Sequence, residues 1–108
     1  ASGKHPEQLY KALMNCETVF TAWDGKRLIG LANAIDDGGM TAYVHFLLVH
    51  PDYQGSGIGR ELTEMMKRRY KDFLYLFLVA ENPTPVGYYE GLGFTKQDGT
   101  SVMSINKR

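Results

Sequence analysis

Apolar runs and turn-forming clusters alternate along the first half of the chain, the pattern of short strands joined by tight loops. Thr18 to Trp23 and Arg27 to Ile35 are β-branched or apolar runs on either side of Asp24-Gly25-Lys26, a hairpin signal. Asp36-Asp37-Gly38-Gly39 turns the chain again into Thr41 to Val49, and Pro51 closes that run. Three successive strands are therefore expected to form an antiparallel meander. Ahead of them, Pro6 to Met14 reads as a short helix with Pro6 in its first turn and Leu9, Leu13 and Met14 on one side.

The period changes after Pro51. Ile58, Leu62, Met65, Met66 and Tyr70 recur at helical spacing, while Arg60, Glu61, Glu64, Lys67 and Arg68 occupy the other face, so this helix is expected to pack on a sheet. Phe73 to Val79 is continuously apolar, as expected of a strand covered on both faces. A strand, helix and strand of these lengths predict a right-handed parallel crossover. A second helix is expected from Pro85 to about Gly91, followed by a closing hairpin of Phe94 to Gln97 and Ser101 to Asn106 around Asp98-Gly99. No repeat, low-complexity stretch or linker interrupts the chain, so residues 1–108 read as a single domain.

Composition narrows the partners. Twelve Lys plus Arg balance twelve Asp plus Glu, so nothing favours bulk attraction to nucleic acid or to an anionic membrane. The run Lys67-Arg68-Arg69 suits the C-terminal end of a helix, where cations are stabilising, better than it suits a phosphate patch. A single cysteine, Cys16, excludes an internal disulfide, and no apolar stretch approaches the roughly 20 residues of a membrane span. A cytoplasmic protein is expected.

Candidate chemistry concentrates at Gln54-Gly55-Ser56-Gly57-Ile58-Gly59-Arg60, where a strand should turn into a helix. Glycine lacks Cβ and lets a ligand approach the backbone, and the first N–H groups of a helix have no intrahelical partner and favour an anion. A phosphate is the expected occupant. A P-loop would need Lys followed by Ser or Thr after its last glycine, and here Gly59 precedes Arg60 and Glu61. A dinucleotide fold would need G-x-G-x-x-G in the first strand-helix unit, and although Glu81 stands at the acidic position, the glycines are spaced otherwise and follow a meander.

Taken together, Val49-His50-Pro51-Asp52-Tyr53-Gln54-Gly55-Ser56-Gly57-Ile58-Gly59 resembles the acetyl-coenzyme A segment of the GCN5-related N-acetyltransferases (GNAT), whose core is Gln or Arg-x-x-Gly-x-Gly or Ala. Downstream, Asn82 followed by Tyr89-Glu90-Gly91-Leu92-Gly93-Phe94 is similar to the family's second motif. The resemblance extends over about residues 17 to 106 and suggests a small, bacterial-type member. It implies an α/β (α+β) acyl-CoA N-acyltransferase fold: a mixed, mostly antiparallel sheet with a central β-α-β unit flanked by helices. In that fold Tyr43 to Val49 and Phe73 to Val79 splay apart around the pantetheine arm. The family's first strand and helix, which help form the acceptor pocket, have no counterpart here. A neighbouring subunit in a homodimer would supply that wall, or the chain is trimmed, or the pocket is open.

The resemblance implies acetyl-CoA as cosubstrate, no metal, and direct transfer to a primary amine of a small molecule or peptide. N–H groups of Gln54, Gly55, Ser56, Gly57, Ile58, Gly59 and Arg60 would hold the pyrophosphate, and backbone groups around Leu48 and Val49 would orient the pantetheine and polarise the thioester carbonyl. Tyr89 stands where relatives carry the tyrosine that protonates the departing thiolate; the alternatives are a buried aromatic, or Tyr88 as donor. Asn82 would bond the pantetheine amide or cap the chain beside Pro83. Relatives often place an acidic residue where this chain has His45 and Phe46, so His45 is the candidate base, with strand alternation placing it on the face of Tyr43 and Val49. The alternative is a satisfied core histidine. Nothing around Cys16 suggests an acyl-carrying nucleophile, and His50 reads as a loop residue. The competing reading is a coenzyme A-binding regulatory or interaction domain without turnover; a nucleotide-binding module without thioester chemistry is a third.

Overall fold

Turn chemistry in the meander does what its residues dictate. The computed structural model describes residues 6–80 and 86–105, which fall in two compact units, Ala1–Leu78 and Val79–Arg108. In the first, α1 (Pro6–Asn15) leads into β1 (Thr18–Asp24), β2 (Arg27–Asp36) and β3 (Thr41–Val49), then α2 (Ile58–Arg69) and β4 (Tyr75–Leu78). The side chains of Leu9 and Leu13 lie outside what is described. The sheet order is β1-β2-β3-β4, with the first two pairings antiparallel and the last parallel, so the expected meander is present and α2 links a parallel pair. Between β2 and β3, Asp36 Oδ1 accepts from Gly38 N–H, and Asp37 Oδ1 accepts from the N–H groups of Gly39, Met40 and Thr41 at 3.0, 2.7 and 3.0 Å.

One face of the sheet is the core. Leu62, Met66 and Tyr70 recur every fourth residue of α2 and its C-cap and are buried, as are Ala32, Ala34, Ala42 and Val44 on the strands beneath. Small strand residues let α2 approach closely: a Cβ on Gly30 would lie 2.9 Å from Ile58 Cγ2 and 3.2 Å from Leu62 Cδ1. At the far end of the helix, Tyr70 donates to Asp36 Oδ2 at 2.8 Å, which leaves Thr18 Oγ1, 2.7 Å away, to donate to the phenol oxygen. Burial, the largest cause, pushes the Tyr70 hydroxyl above its ordinary pKa.

Two expectations are corrected. Phe73 to Val79 is not a strand covered on both faces: β4 is limited to Tyr75–Leu78, Leu74 is exposed ahead of it, and Tyr75 and Phe77 are exposed because α2 packs against the opposite face of the sheet. Its start is delayed by a turn in which Phe73 N–H donates to Tyr70 O and both Leu74 and Tyr75 N–H reach Met40 O. In the second unit, α3 (Val86–Gly91) forms, but residues 94–105 contain no strand. The Asp98-Gly99 turn is made, with Gly99 at φ +85° and Thr100 Oγ1 donating to Gln97 O, yet an isolated two-stranded ladder is marginal in water and residues 95–105 are exposed. Pro85 and Asn106 lie outside the described residues. Among the described residues no helix is long and apolar enough to cross a membrane.

Candidate functional site

The glycine segment is shaped by backbone conformation. Gly55 and Gly57 adopt φ of +85° and +94°, which only glycine enters without strain, and Gly57 is the N-cap of α2. No side chain caps the helix there, and the first intrahelical bond is Glu61 N–H to Gly57 O at 3.0 Å, so the N–H groups of Ile58 and Gly59 precede the ladder. A Cβ on Gly55 or Gly57 would meet nothing within 4 Å. Donors, a positive helix end and open space thus coincide, the environment a pyrophosphate requires. Gly59 is helical with ordinary φ, so its lack of a side chain is not a backbone requirement.

Upstream, the chain enters this loop through a 3-10 turn, Pro51–Tyr53, braced against the β1–β2 hairpin. Tyr53 donates to Asp24 Oδ2, and that carboxylate is the first cause holding the Tyr53 phenol above its ordinary range. Arg27 lies 3.6 Å from Asp52 Oδ2 and 3.1 Å from His50 Nε2, while His50 Nδ1 accepts from Asp52 N–H. A neutral imidazole has one lone pair to offer, so these two donors compete for it. Exposed pairs of this kind contribute little stability; their consequence is geometric, fixing where the loop begins. His50 is therefore the N-cap of the 3-10 turn.

Among the described residues, nothing pairs with the edge of β3 beside the loop. Pairing with β4 ends at Val44 opposite Leu78, and β3 continues to Val49, the divergence expected around a pantetheine arm. His50 N–H donates to Ile29 O at 2.7 Å, which marks 29 and 50 as a hydrogen-bonded pair. Antiparallel ladders alternate, so Leu48 is also bonded to β2 through its pair with Leu31, and the main-chain groups of Leu47 and Val49 turn to the open edge. An independent contact agrees: Gln54 Nε2 donates to Val49 O at 3.2 Å. Of the two residues expected to present backbone donors, Val49 aims its N–H at the edge and Leu48 at β2.

His45 is displaced from its expected neighbourhood. Asn33 pairs with Phe46 but Ala34 pairs with Val44, so His45 is an extra residue in a β-bulge. It shares the face of Tyr43, but the bulge shifts the alternation and puts Val49 on the opposite, α2-facing side, across from Gly30. The reading of His45 as a core residue is also overturned: it is exposed, its ring stacked on Phe46 with centroids 4.3 Å apart and 6.0 Å from Tyr43. Sequence reasoning missed Asn33, whose side chain accepts from Phe46 N–H at the bulge. Its one signal is a polar residue inside the apolar run 30–35.

In the second unit, Tyr89-Glu90-Gly91-Leu92-Gly93-Phe94 is a helix terminator. Phe94 N–H donates to Tyr89 O at 3.1 Å, Gly93 N–H to Glu90 O at 3.0 Å, and Gly93 takes φ +106°, the bonds and left-handed residue of a Schellman cap. The accompanying apolar contact is between the Tyr89 and Phe94 rings, 6.5 Å apart. Tyr89 is half-buried, and the Tyr88 ring crosses it edge-on at 5.2 Å. Burial, the first cause, raises the Tyr88 hydroxyl's pKa. Asn82 lies outside the described residues. No cluster of His, Cys, Asp or Glu among the described residues is arranged to hold a metal ion.

Comparison with known proteins agrees with these features. The family model for the acetyltransferase (GNAT) domain matches residues 3–104. An uncharacterized N-acetyltransferase, ycf52, of Gracilaria tenuistipitata var. liui is 40% identical over 81 residues, covering 72% of this chain and 44% of its own length. The GCN5-related N-acetyltransferase 2, chloroplastic, of Arabidopsis thaliana is 38% identical over 71 residues, 64% of this chain and 27% of that protein. Among solved structures, a GNAT-family acetyltransferase from Streptococcus pneumoniae TIGR4 superposes with TM-score 0.83 at 31% identity, covering 94% of this chain and 80% of that one. The chain thus spans less than half the length of the curated relatives it matches. Both motifs, the diverging parallel pair and a family match across nearly all the sequence lead to one assignment: the chain belongs to the GNAT acetyltransferase family.

Proposed function

We propose that the chain transfers the acetyl group of acetyl-CoA directly to a primary amine of a small molecule or peptide. The observation that carries this reading is the coincidence of uncapped first-turn N–H groups on α2 with outward-facing N–H groups on the open edge of β3. Acetyl-CoA supplies the activated acyl group as a thioester. The segment Gln54, Gly55, Ser56, Gly57, Ile58, Gly59 and Arg60 cradles its pyrophosphate, with the main-chain donors coming from the glycines and the start of α2, since the N–H groups of Gln54 and Ser56 donate to Pro51 O and Tyr53 O inside the turn. Leu48 and Val49 line the pantetheine, and the Val49 N–H polarises a carbonyl brought to that edge, fixed dipoles being effective where water is excluded. His45 takes the proton of the attacking amine, directly or through water, and Tyr89 returns a proton to the departing thiolate. Asn82 bonds the pantetheine amide. Neutral overall charge and a basic run at a helix end favour a small or locally matched acceptor over nucleic acid.

The test is coenzyme A release from acetyl-CoA with a panel of polyamines, aminoglycosides, amino acids and peptides, alongside calorimetry. Gly59→Val is the informative loop variant, because its φ suits any residue, whereas a side chain at Gly57 would add backbone strain. Weaker acetyl-CoA binding by a fully folded Gly59→Val protein is expected. Unchanged affinity would remove the loop from the site, and binding without turnover by any amine would favour the regulatory-domain reading.

A further inference from the structure

Asn33 is completely buried in the middle of β2, flanked by Ala32 and Ala34, and both ends of its amide are used. Oδ1 accepts from Phe46 N–H at 2.8 Å, and Nδ2 donates to Cys16 Sγ at 3.0 Å. The first bond fixes the amide's orientation, since only the oxygen can accept from a main-chain N–H. Asn33 is also the strand partner of Phe46, at the point where the β2–β3 register slips and His45 is left over.

That slip decides which donors reach the open edge. A regular ladder continued from the Ala34–Val44 pair would match Asn33 with His45 and Leu31 with Leu47, turning the N–H groups of Leu47 and Val49 into β2 and those of Phe46 and Leu48 outward. With the bulge, Leu47 and Val49 face the edge, and Leu47 points its side chain into the core, where it is 9% exposed. We propose that Asn33 is a positioning residue for acyl transfer: anchored on Cys16, it holds the β3 bulge and so selects Leu47 and Val49 as the edge donors. The inference rests on the acetyltransferase reading above and adds to it a residue that touches neither the loop nor the edge.

Asn33→Leu keeps the side-chain size and removes the acceptor; Asn33→Asp keeps an acceptor in the same place. A misplacement of about 1 Å can cost about 100-fold in rate. For Asn33→Leu, kcat per folded molecule is expected to fall by about 10-fold or more and KM for acetyl-CoA to rise as the arm loses the edge, while the affinity for ADP moves less than about 2-fold because the loop is untouched, and Asn33→Asp is expected to restore most of kcat. Wild-type kcat in folded Asn33→Leu overturns the proposal, whatever its melting temperature. Amide NMR on the wild-type protein tests the same point without a variant. Leu47 and Val49 resonances should move further with acetyl-CoA than with coenzyme A while Phe46, held by Asn33, stays; a Phe46 amide that responds to the acetyl group as they do overturns it equally. Absence of turnover by the wild type removes the functional reading and this role with it, and shows before any variant is compared.

Discussion

At the scale of single residues, Asp37 shows how one carboxylate sets a loop. Three successive N–H groups converge on its Oδ1, and these main-chain bonds, Met40 first, hold its pKa below the ordinary 3.8. Because the folded value lies below the unfolded one, the charged turn contributes its full stability above about pH 4 and loses it as pH falls through the folded value. The urea midpoint should hold from pH 7 to 5 and drop at lower pH, and Asp37→Asn should flatten that drop; an equally steep descent in the variant would remove Asp37 as its source. Asp37 was legible as a turn former, as Gly55 and Gly57 were as loop glycines, because each obeys a local backbone rule. Asn33 was not. Its value depends on a register slip thirteen positions away in Phe46, and a sequence shows a polar residue in a strand without showing what it bonds.

Elements were legible where hydrophobic period and turn chemistry agree. β3 occupies the expected span, and β1, β2 and α2 differ from theirs only at an end, because apolar runs bounded by Asp-Gly and Gly-Gly leave little choice. The bulge at His45 was illegible since two registers differing by one residue satisfy the same apolar pattern until partners are known. The closing hairpin failed for a related reason: Asp98-Gly99 specifies a turn, but a ladder needs packing that residues 95–105 do not have. The α3 terminus joins both lessons, since its Gly93-Phe94 ending is a backbone cap that also fixes Tyr89. Tyr89→Phe keeps the ring that meets Phe94 and removes only the hydroxyl, so stability should be unchanged while kcat falls by about 10²- to 10⁴-fold, the usual contribution of a general acid. If Tyr88→Phe shows that loss instead, the proton comes from the neighbour.

At the scale of the molecule, the loop, the helix end and the β3 edge all belong to the unit Ala1–Leu78, so ligand binding there is linked to the folding of that unit. A ligand that binds only the folded state stabilises it by about 2.7 kcal/mol at 100 times its Kd, roughly 10–20 °C in melting temperature for a domain of this size. In the proposed function, donors on α2 answer to pyrophosphate, which coenzyme A shares with ADP, whereas the β3 edge answers to an amide-bearing arm that only coenzyme A carries. Acetyl-CoA and coenzyme A should therefore raise the melting temperature at concentrations where ADP has little effect, with hydrogen exchange slowing both at residues 54–60 and along 47–49. Salt should weaken the phosphate contribution to both ligands and leave the arm's contribution in place, so both affinities should fall as ionic strength rises while coenzyme A stays preferred over ADP. Equal stabilisation by ADP, with exchange slowed at the loop alone, would show that the β3 edge takes no part in binding and would favour a nucleotide-binding module over the acetyltransferase.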